Sequence, residues 1–589
     1  MSLARVLTAA GAALLALGLA CAREPARSGD VVALVTIDTL RADRLGCHGD
    51  PAARTPHLDR AARRGTQHAM AVATAPLTLP SHATILSGTL PPVHGARDNG
   101  SYRVHESTPL VAEAFQDAGW ETAAFVAAFP LAARFGLARG FDHYGEATGV
   151  RRTGSMSSFA ERRASAVNDE VREYLDGRTA RDRLFLWVHY FDPHAPYDAT
   201  RNWTRSVGRD GYRGEIAYTD REFGMLERAL VSRFRTVLLA LTADHGESLG
   251  DHGEDTHGIF VYDATMHVPL SFTGPGFAAG VIEREPVSLT MIAPNLAASA
   301  GVAFAPADAP QLEAEVGACY VESAYPRLRH GWAALRGLRT ERWKVIRAPE
   351  PEIYDVLADP GELDNRFGDP HARAAVDALF RELELDVWDV QPPREEPDPE
   401  VEAALASLGY ASIPARRDEP AEELPDPKGR VRIERFLGLA HTALEAGDLA
   451  GATSALALVK AADPDNKESR LVRARLVAAG GDVEAAYLVY EEALALPPAS
   501  LDALVYYEMG RLALDLGHWS RAEDAFGRSA SLDPLNADAV YNWGLAAYRL
   551  DRFDDAVSRW RAALEIDPRH EFALEWIADA EARSRGEAP

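Results

Sequence analysis

Four stretches of the chain are apolar almost without interruption: "VVALVTID", "ETAAFVAA", "RLFLWVHYF" and "RTVLLALTAD". A strand with one face in water alternates polar and apolar residues; these runs do not, so they predict a sheet buried on both faces. Polar, helix-compatible sequence follows each run, which is the order of a mostly parallel sheet sandwiched by helices. Three of the runs end in residues able to bind a ligand: Asp38, then His189 and Asp192, then Asp244 and His245. In open α/β sheets ligands gather at the carboxyl ends of the strands, so one sheet edge is the expected site. This α/β reading covers residues 30–411.

A chain of 589 residues is too long for one average domain. The charged, Pro-rich stretch "RRDEPAEELPDPKGR" breaks the α/β pattern, and residues 412–430 read as a linker. Beyond it a register of 34 residues sets in, pairing Gly510 with Gly544, Ala522 with Ala556 and Pro534 with Pro568. Small residues where two helices cross, and Pro at the end of each unit, make this segment resemble the tetratricopeptide repeat. The resemblance implies an all-α superhelix of about four units over residues 431–585, capped by a helix from Phe572 onward. Its concave face would hold a protein or peptide partner.

At the front, "MSLARVLTAAGAALLALGLAC" joins a short start carrying Arg5 to an apolar run ending in small residues. Residues 1–21 read as an export signal, and "GLAC" resembles a lipoprotein processing site that would leave a lipid on Cys21. The expected location is therefore the periplasm or cell envelope, with membrane attachment through Cys21 or through an uncleaved signal. A net charge of −26 with no Lys/Arg cluster argues against a nucleic-acid partner. Of three cysteines only Cys47 and Cys319 remain in the body of the protein, so its stability rests on large cores.

"VTIDTLRADRLGCHG" places Asp38 just past a buried strand, and "LTADHGESLGDHGEDTHG" places Asp244 and His245 past another. Two carboxylates and an imidazole suit a divalent cation, with one coordination place left for the oxygen of a nucleophile. The exposed bend "APLTLPSHATILSG" offers Thr78 for that place. Beside these stand humbler roles: Ser81 and His82 at a helix start can serve as caps, and His189 as a core histidine.

"IDTLRADRLGCHG", the T-x-P-S site, "DPHAPY", "TADHGESLGDHG", "LRTERWKVI" and "EIYDVLADPGEL" occur in the order of the sulfatases, within the alkaline-phosphatase-like superfamily. The resemblance implies that Asp38, Asp244 and His245 hold a metal, that His194 lies near the leaving group, and that Lys344 touches the transferred group. It also exposes departures. Formylglycine sulfatases have Cys or Ser at the position of Thr78, and Arg at that of His82. Thr cannot become formylglycine, because its β-carbon already bears a methyl group. Where the family has a Lys and a His, this chain has the apolar "FVAAF".

"TLPSHATILSGTLPPVHGARDNG" is more similar to the nucleotide pyrophosphatase/phosphodiesterases, which use a Thr nucleophile and a phosphate-binding Asn, here Asn99. Arg97 is a further candidate for binding the anion. In that branch a cation lowers the pKa of the Thr hydroxyl. A second cation would draw on Asp192 and His257, together with His194. Calcium fits the sulfatase branch and zinc the phosphodiesterase branch; magnesium and manganese also suit the ligands. The expectation is an exported, metal-dependent hydrolase or transferase acting on phosphate or sulfate esters through Thr78. Its rival is a degenerate scaffold whose repeats bind partner proteins.

Overall fold

The computed structural model describes residues 29–99, 102–146, 150–153, 156–159, 162–177, 183–197, 201–208, 210–306, 317–383, 424–496, 501–532, 536–566 and 571–585. The expected export signal and Cys21 lie outside these residues, as does the greater part of the expected linker. Among the described residues no helix is long and apolar enough to cross a membrane.

The apolar runs form the centre of a nine-stranded sheet. Its strands are β1 (Asp30–Ile37), β2 (Thr66–Val72), β3 (Glu121–Phe125), β4 (His143–Gly145), β7 (Arg183–Tyr190), β8 (Thr236–Ala243), β9 (His267–Thr273), β10 (Val281–Glu283) and β11 (Val287–Ser288). A separate hairpin of β5 (Val150–Thr153) and β6 (Met156–Phe159) stands apart from it. The order across the sheet is β10-β2-β9-β8-β1-β7-β3-β4, with β11 also on β2, and β9 alone runs against its neighbours. Seven of the eight residues of β1 are buried, as a strand covered by helices on both faces requires.

Register sets the site. Ile37 lies opposite both Tyr190 and Ala243. The next residues, Asp38, Phe191 and Asp244, therefore leave the sheet at one height, side by side at its carboxyl edge. Thr78 opens the helix Thr78–Ser87 at that edge.

A second sheet, antiparallel, contains β12 (Cys319–Ser323), β13 (Leu335–Arg339), β14 (Trp343–Arg347) and β15 (Glu352–Asp355). Tyr320, Leu338, Val345 and Ile353 pack there against Ala372, Val376 and Leu383 of the helix Pro370–Leu383.

Four antiparallel helix pairs and a closing helix, Glu571–Ser584, make up the C-terminal part among the described residues. The 34-residue glycines have a packing cause. A Cβ on Gly510 would stand 2.8 Å from the ring of Phe526, and one on Gly544 2.6 Å from Trp560. Both are closer than real Cβ atoms come, so each crossing admits only Gly.

The first pair is not a free-standing unit. Val431, Ile433, Leu437 and Val459 belong to the same buried cluster as the central sheet. Around them Glu434 pairs with His330, and Glu468 sits between Arg329 at 3.1 Å and His441 at 3.6 Å. Residues 424–430, at the end of the expected linker, lie along the α/β domain. Ala333 N–H donates to the Pro425 carbonyl (2.9 Å), and Lys428 Nζ reaches Glu352 (3.0 Å).

Candidate active site

Asp38 and Asp244 leave adjacent strands, and His245 follows Asp244. Among the described residues only Asp38, Asp244 and His245 bring three ligand atoms within 4.8 Å of one another, and all three are buried. His245 Nδ1–H donates to the Gly246 carbonyl (3.0 Å), which leaves the lone pair on Nε2, 3.4 Å from Asp244 Oδ2. Asp244 Oδ1 accepts from the backbone N–H groups of Thr39 and His245, at 3.3 and 2.8 Å. Asp244 Oδ2 and His245 Nε2 have no hydrogen-bond partner despite complete burial. Burial, and then the neighbouring Asp38 carboxylate, push Asp244 well above the ordinary carboxylate range. A divalent cation removes that cost by offsetting both negative charges, so this donor set fits one.

Thr78 is fixed to this group from two sides. Ser81 Oγ donates to the Asp244 carbonyl (2.6 Å). His82 Nδ1–H donates to the Thr78 carbonyl (2.8 Å) and lies 3.6 Å from Asp244 Oδ2. Thr36 Oγ1 accepts from Trp187 Nε1 (3.1 Å), so its own proton goes to His82 Nε2 (3.0 Å). His82 and Ser81 thus do not cap the helix; they lock its first turn onto β1 and Asp244. Asn99 Oδ1 accepts from Leu79 N–H (2.8 Å), and its buried Nδ2 has no partner. The helix N-terminus adds positive potential at Thr78.

His189 Nδ1 accepts from Ala127 N–H (3.3 Å), so its proton is on Nε2, 3.3 Å from Asp38 Oδ2. In that tautomer it steadies Asp38 and has no lone pair to give a metal.

His194 and His257 face each other, Nε2 to Nε2, at 3.1 Å. Their Nδ1 atoms donate to the carbonyls of Ala195 (2.6 Å) and Pro76 (3.0 Å). Burial pushes His194 down to about 4 and His257 to about 3, so both rings are neutral at pH 7. The His257 ring also lies 4.4 Å from that of His245, centroid to centroid.

Three expected residues are occupied elsewhere. Arg97 is bidentate to Glu322 on β12, at 2.9 and 2.6 Å. Lys344 Nζ lies between Asp263 (2.8 Å) and Glu362 (3.0 Å), and Arg339 shares Asp263. Both cations, for which the sequence suggested anion-binding roles, are paired with carboxylates in this structure. Asp192 accepts from Ala164 N–H (2.7 Å) and pairs with Arg163 (2.9 Å), so it does not join His257 in a second metal group.

Two residues that sequence reasoning passed over hold the loop carrying His257. Arg41 Nη1 donates to the carbonyls of Glu247 (2.9 Å) and Ser248 (3.3 Å) and pairs with Asp251 (2.9 Å). Glu254 accepts from Ile259 N–H (2.7 Å) and Ser248 Oγ (2.8 Å). Arg41 stands three residues after Asp38, a spacing that hints at a clamp; nothing near Glu254 in sequence does so.

Burial pushes Glu254 up to about 7, from an ordinary 4.5. Between those values the folded protein keeps a proton that the unfolded chain releases. The stability contributed is therefore full below about pH 4.5 and is lost as pH rises through about 7. Glu254→Gln should remove this fall, so that in thermal melts the variant gains on the wild type by roughly 3 kcal/mol between about pH 5 and pH 8. Parallel melting curves at every pH would contradict it.

Sheet order and the position of the site at the carboxyl edge make the N-terminal part an alkaline-phosphatase-like fold. Residues 30–302 match the family model for sulfatases, and this domain is a member of that family. Residues 437–500, 507–571 and 541–587 match the model for the tetratricopeptide repeat.

An ulvan-active sulfatase of Formosa agariphila is 24% identical over 423 residues, covering 60% of this chain and 80% of its own. A choline-sulfatase of Rhizobium meliloti is 31% identical over 213 residues, 33% of this chain and 40% of its own. Among solved structures, a phosphonate monoester hydrolase of Agrobacterium radiobacter superposes with a TM-score of 0.51 at 19% identity, over 62% of this chain and 96% of its own.

Proposed function

We propose that the protein is a metal-dependent ester hydrolase or transferase of the sulfatase family in which Thr78 is the nucleophile. The observation that carries this reading is the buried group of Asp38, Asp244 and His245, with Asp244 Oδ2 and His245 Nε2 unbonded at one point. These three residues would hold the cation, which when bound favours the deprotonated Thr78 hydroxyl and offsets charge on the transferred group.

The chain's own residues supply the rest. Ser81 and His82 fix the first turn, so Thr78 Oγ meets the ester without a search among backbone conformations. Asn99 presents Nδ2 to an equatorial oxygen of the transferred group. His194 and His257 flank the leaving group. Their facing nitrogens accept a proton more readily once an anionic substrate lies beside them, and return it to the departing oxygen.

The sulfatase relatives support a sulfate ester as substrate. The threonine favours phosphoryl transfer, since the aldehyde route of formylglycine is closed to it. The repeats offer a surface for a protein partner.

Metal analysis tests the reading. Purified wild type should carry a stoichiometric divalent ion whose chelation abolishes ester cleavage and lowers the melting temperature. Asp244→Asn should lose the ion. Full activity in the chelated protein would count against the whole scheme.

A further inference from the structure

β1 leads into a backbone conformation that the residue there does not favour by itself. Thr39, next after Asp38, has φ +53°, in the left-handed region where a β-branched side chain is seldom found. Asparagine or aspartate can hold such a turn through its own side chain. Thr39 Oγ1 does not: it is buried and meets no hydrogen-bond partner among the described residues.

The turn decides how the site is built. Asp38 N–H still donates to the Tyr190 carbonyl (2.9 Å), as a residue continuing the strand would. An extended Thr39 would carry β1 onward between β7 and β8, across the edge where Asp38 meets Asp244 and His245. In the left-handed turn Thr39 N–H instead reaches Asp244 Oδ1, at a long 3.3 Å. The placing of Asp38 beside Asp244 thus depends on a strained residue, which its surroundings have to hold.

One hydroxyl does so. Tyr212 Oη donates to the Thr39 carbonyl (2.6 Å) and accepts from Arg41 N–H (3.0 Å), which closes the turn at both ends. Tyr212 is only 3% exposed, and its ring packs edge-on against Tyr197 at 5.5 Å between centroids. It is the second residue of the helix Gly211–Arg233, which Asp210 caps and Arg213 ties to Asp50 at 2.7 Å. A helix anchored away from the sheet edge therefore delivers the hydroxyl to Thr39.

We infer that Tyr212 is a positioning residue for the cation: by holding Thr39 in the left-handed turn, its hydroxyl sets Asp38 against Asp244 and His245. This rests on the reading of those three residues as a metal group. Tyr212 acts through the backbone of Thr39, not as a ligand. Phenylalanine at this place would take a partner from the buried Thr39 carbonyl and from Arg41 N–H. Thr39 would then be free to relax toward extended backbone and draw Asp38 out of line.

A double-mutant cycle on chelator-stripped, full-length protein tests this, with calcium chloride and, in parallel, zinc chloride titrated in by calorimetry. Tyr212→Phe should weaken binding of the ion at least about tenfold, as loss of a group that orients a metal ligand does. Glycine takes up the left-handed conformation without steric cost, so Thr39→Gly should rescue that loss. On the Thr39→Gly background, Tyr212→Phe should weaken binding by less than about threefold. A tyrosine that merely supports the fold would give the same loss on both backgrounds, and that result overturns the inference. So does a Tyr212→Phe protein that binds the ion as tightly as the wild type. Should Tyr212→Phe alone fail to fold, the double variant is still expected to fold and bind, and its failure also overturns the inference. Wild-type protein that takes up neither ion would remove the metal reading itself, and the inference with it, before any variant is compared.

Discussion

Thr78→Ala should slow ester cleavage at least about a thousandfold and leave both the fold and the bound divalent ion in place. The change removes the oxygen proposed to attack from the first turn of the helix. Its anchors remain: Ser81 to the Asp244 carbonyl, His82 to the backbone carbonyl of residue 78, and Asn99 to Leu79 N–H. Alanine is a good helix former, so the helix itself loses little. Asp38, Asp244 and His245 come from the carboxyl edges of β1 and β8 and do not depend on the side chain at position 78. Quenched wild-type reactions should show added phosphoryl mass on the peptide containing Thr78, and the alanine variant none. An alanine variant with near-normal turnover would mean that water attacks directly and that Thr78 only shapes the site.

Removing the repeats from Val431 onward should unfold or aggregate the α/β domain instead of releasing a working enzyme. Val431, Ile433 and Leu437 are buried in its core, and a cut there uncovers the surface they fill. The same cut leaves the nearly buried Arg329 without Glu468 and His330 without Glu434. It also bares the loop beneath, since Val431 Cγ1 lies 3.4 Å from the position a Cβ would take on Gly253, in the loop that carries His257. A milder probe is Leu437→Ala, expected to cost about 2–5 kcal/mol for a buried leucine of this kind. Calorimetry should show the sheet domain and first repeat melting together, and Leu437→Ala should lower that shared transition. A truncated protein with the parent's melting temperature and turnover would contradict this.

The strands at the site could be read from the chain because each is apolar on both faces and ends in a polar residue. The repeats were legible through Gly510 and Gly544, whose spacing is set by local helix crossings. Pairings between distant segments were not. Arg97 looks like an anion-binding residue until Glu322, 225 positions away, takes both ends of its guanidinium. Lys344 is hidden in the same way by Asp263 and Glu362. Val431 and Ile433 give no sign in sequence that they belong to the core of a neighbouring domain, because an apolar helix face does not name what it packs against. His82 and His189 read as a cap and a core residue; the structure places them 3.6 Å from Asp244 Oδ2 and 3.3 Å from Asp38 Oδ2.

The enclosure of His82 bears on how one chemistry could evolve into another. Its ring fills a closed space, 5.5 Å from the centre of the Trp187 ring and 5.0 Å from that of His189, with both nitrogens bonded. A change toward an aldehyde-bearing site needs an oxidisable residue at Thr78 and, by the family resemblance, Arg at His82. The second step would put a longer, charged side chain among Thr36, Trp187 and His189, all fully buried. The packing behind Thr78 thus opposes the arginine that an aldehyde-bearing site would need there.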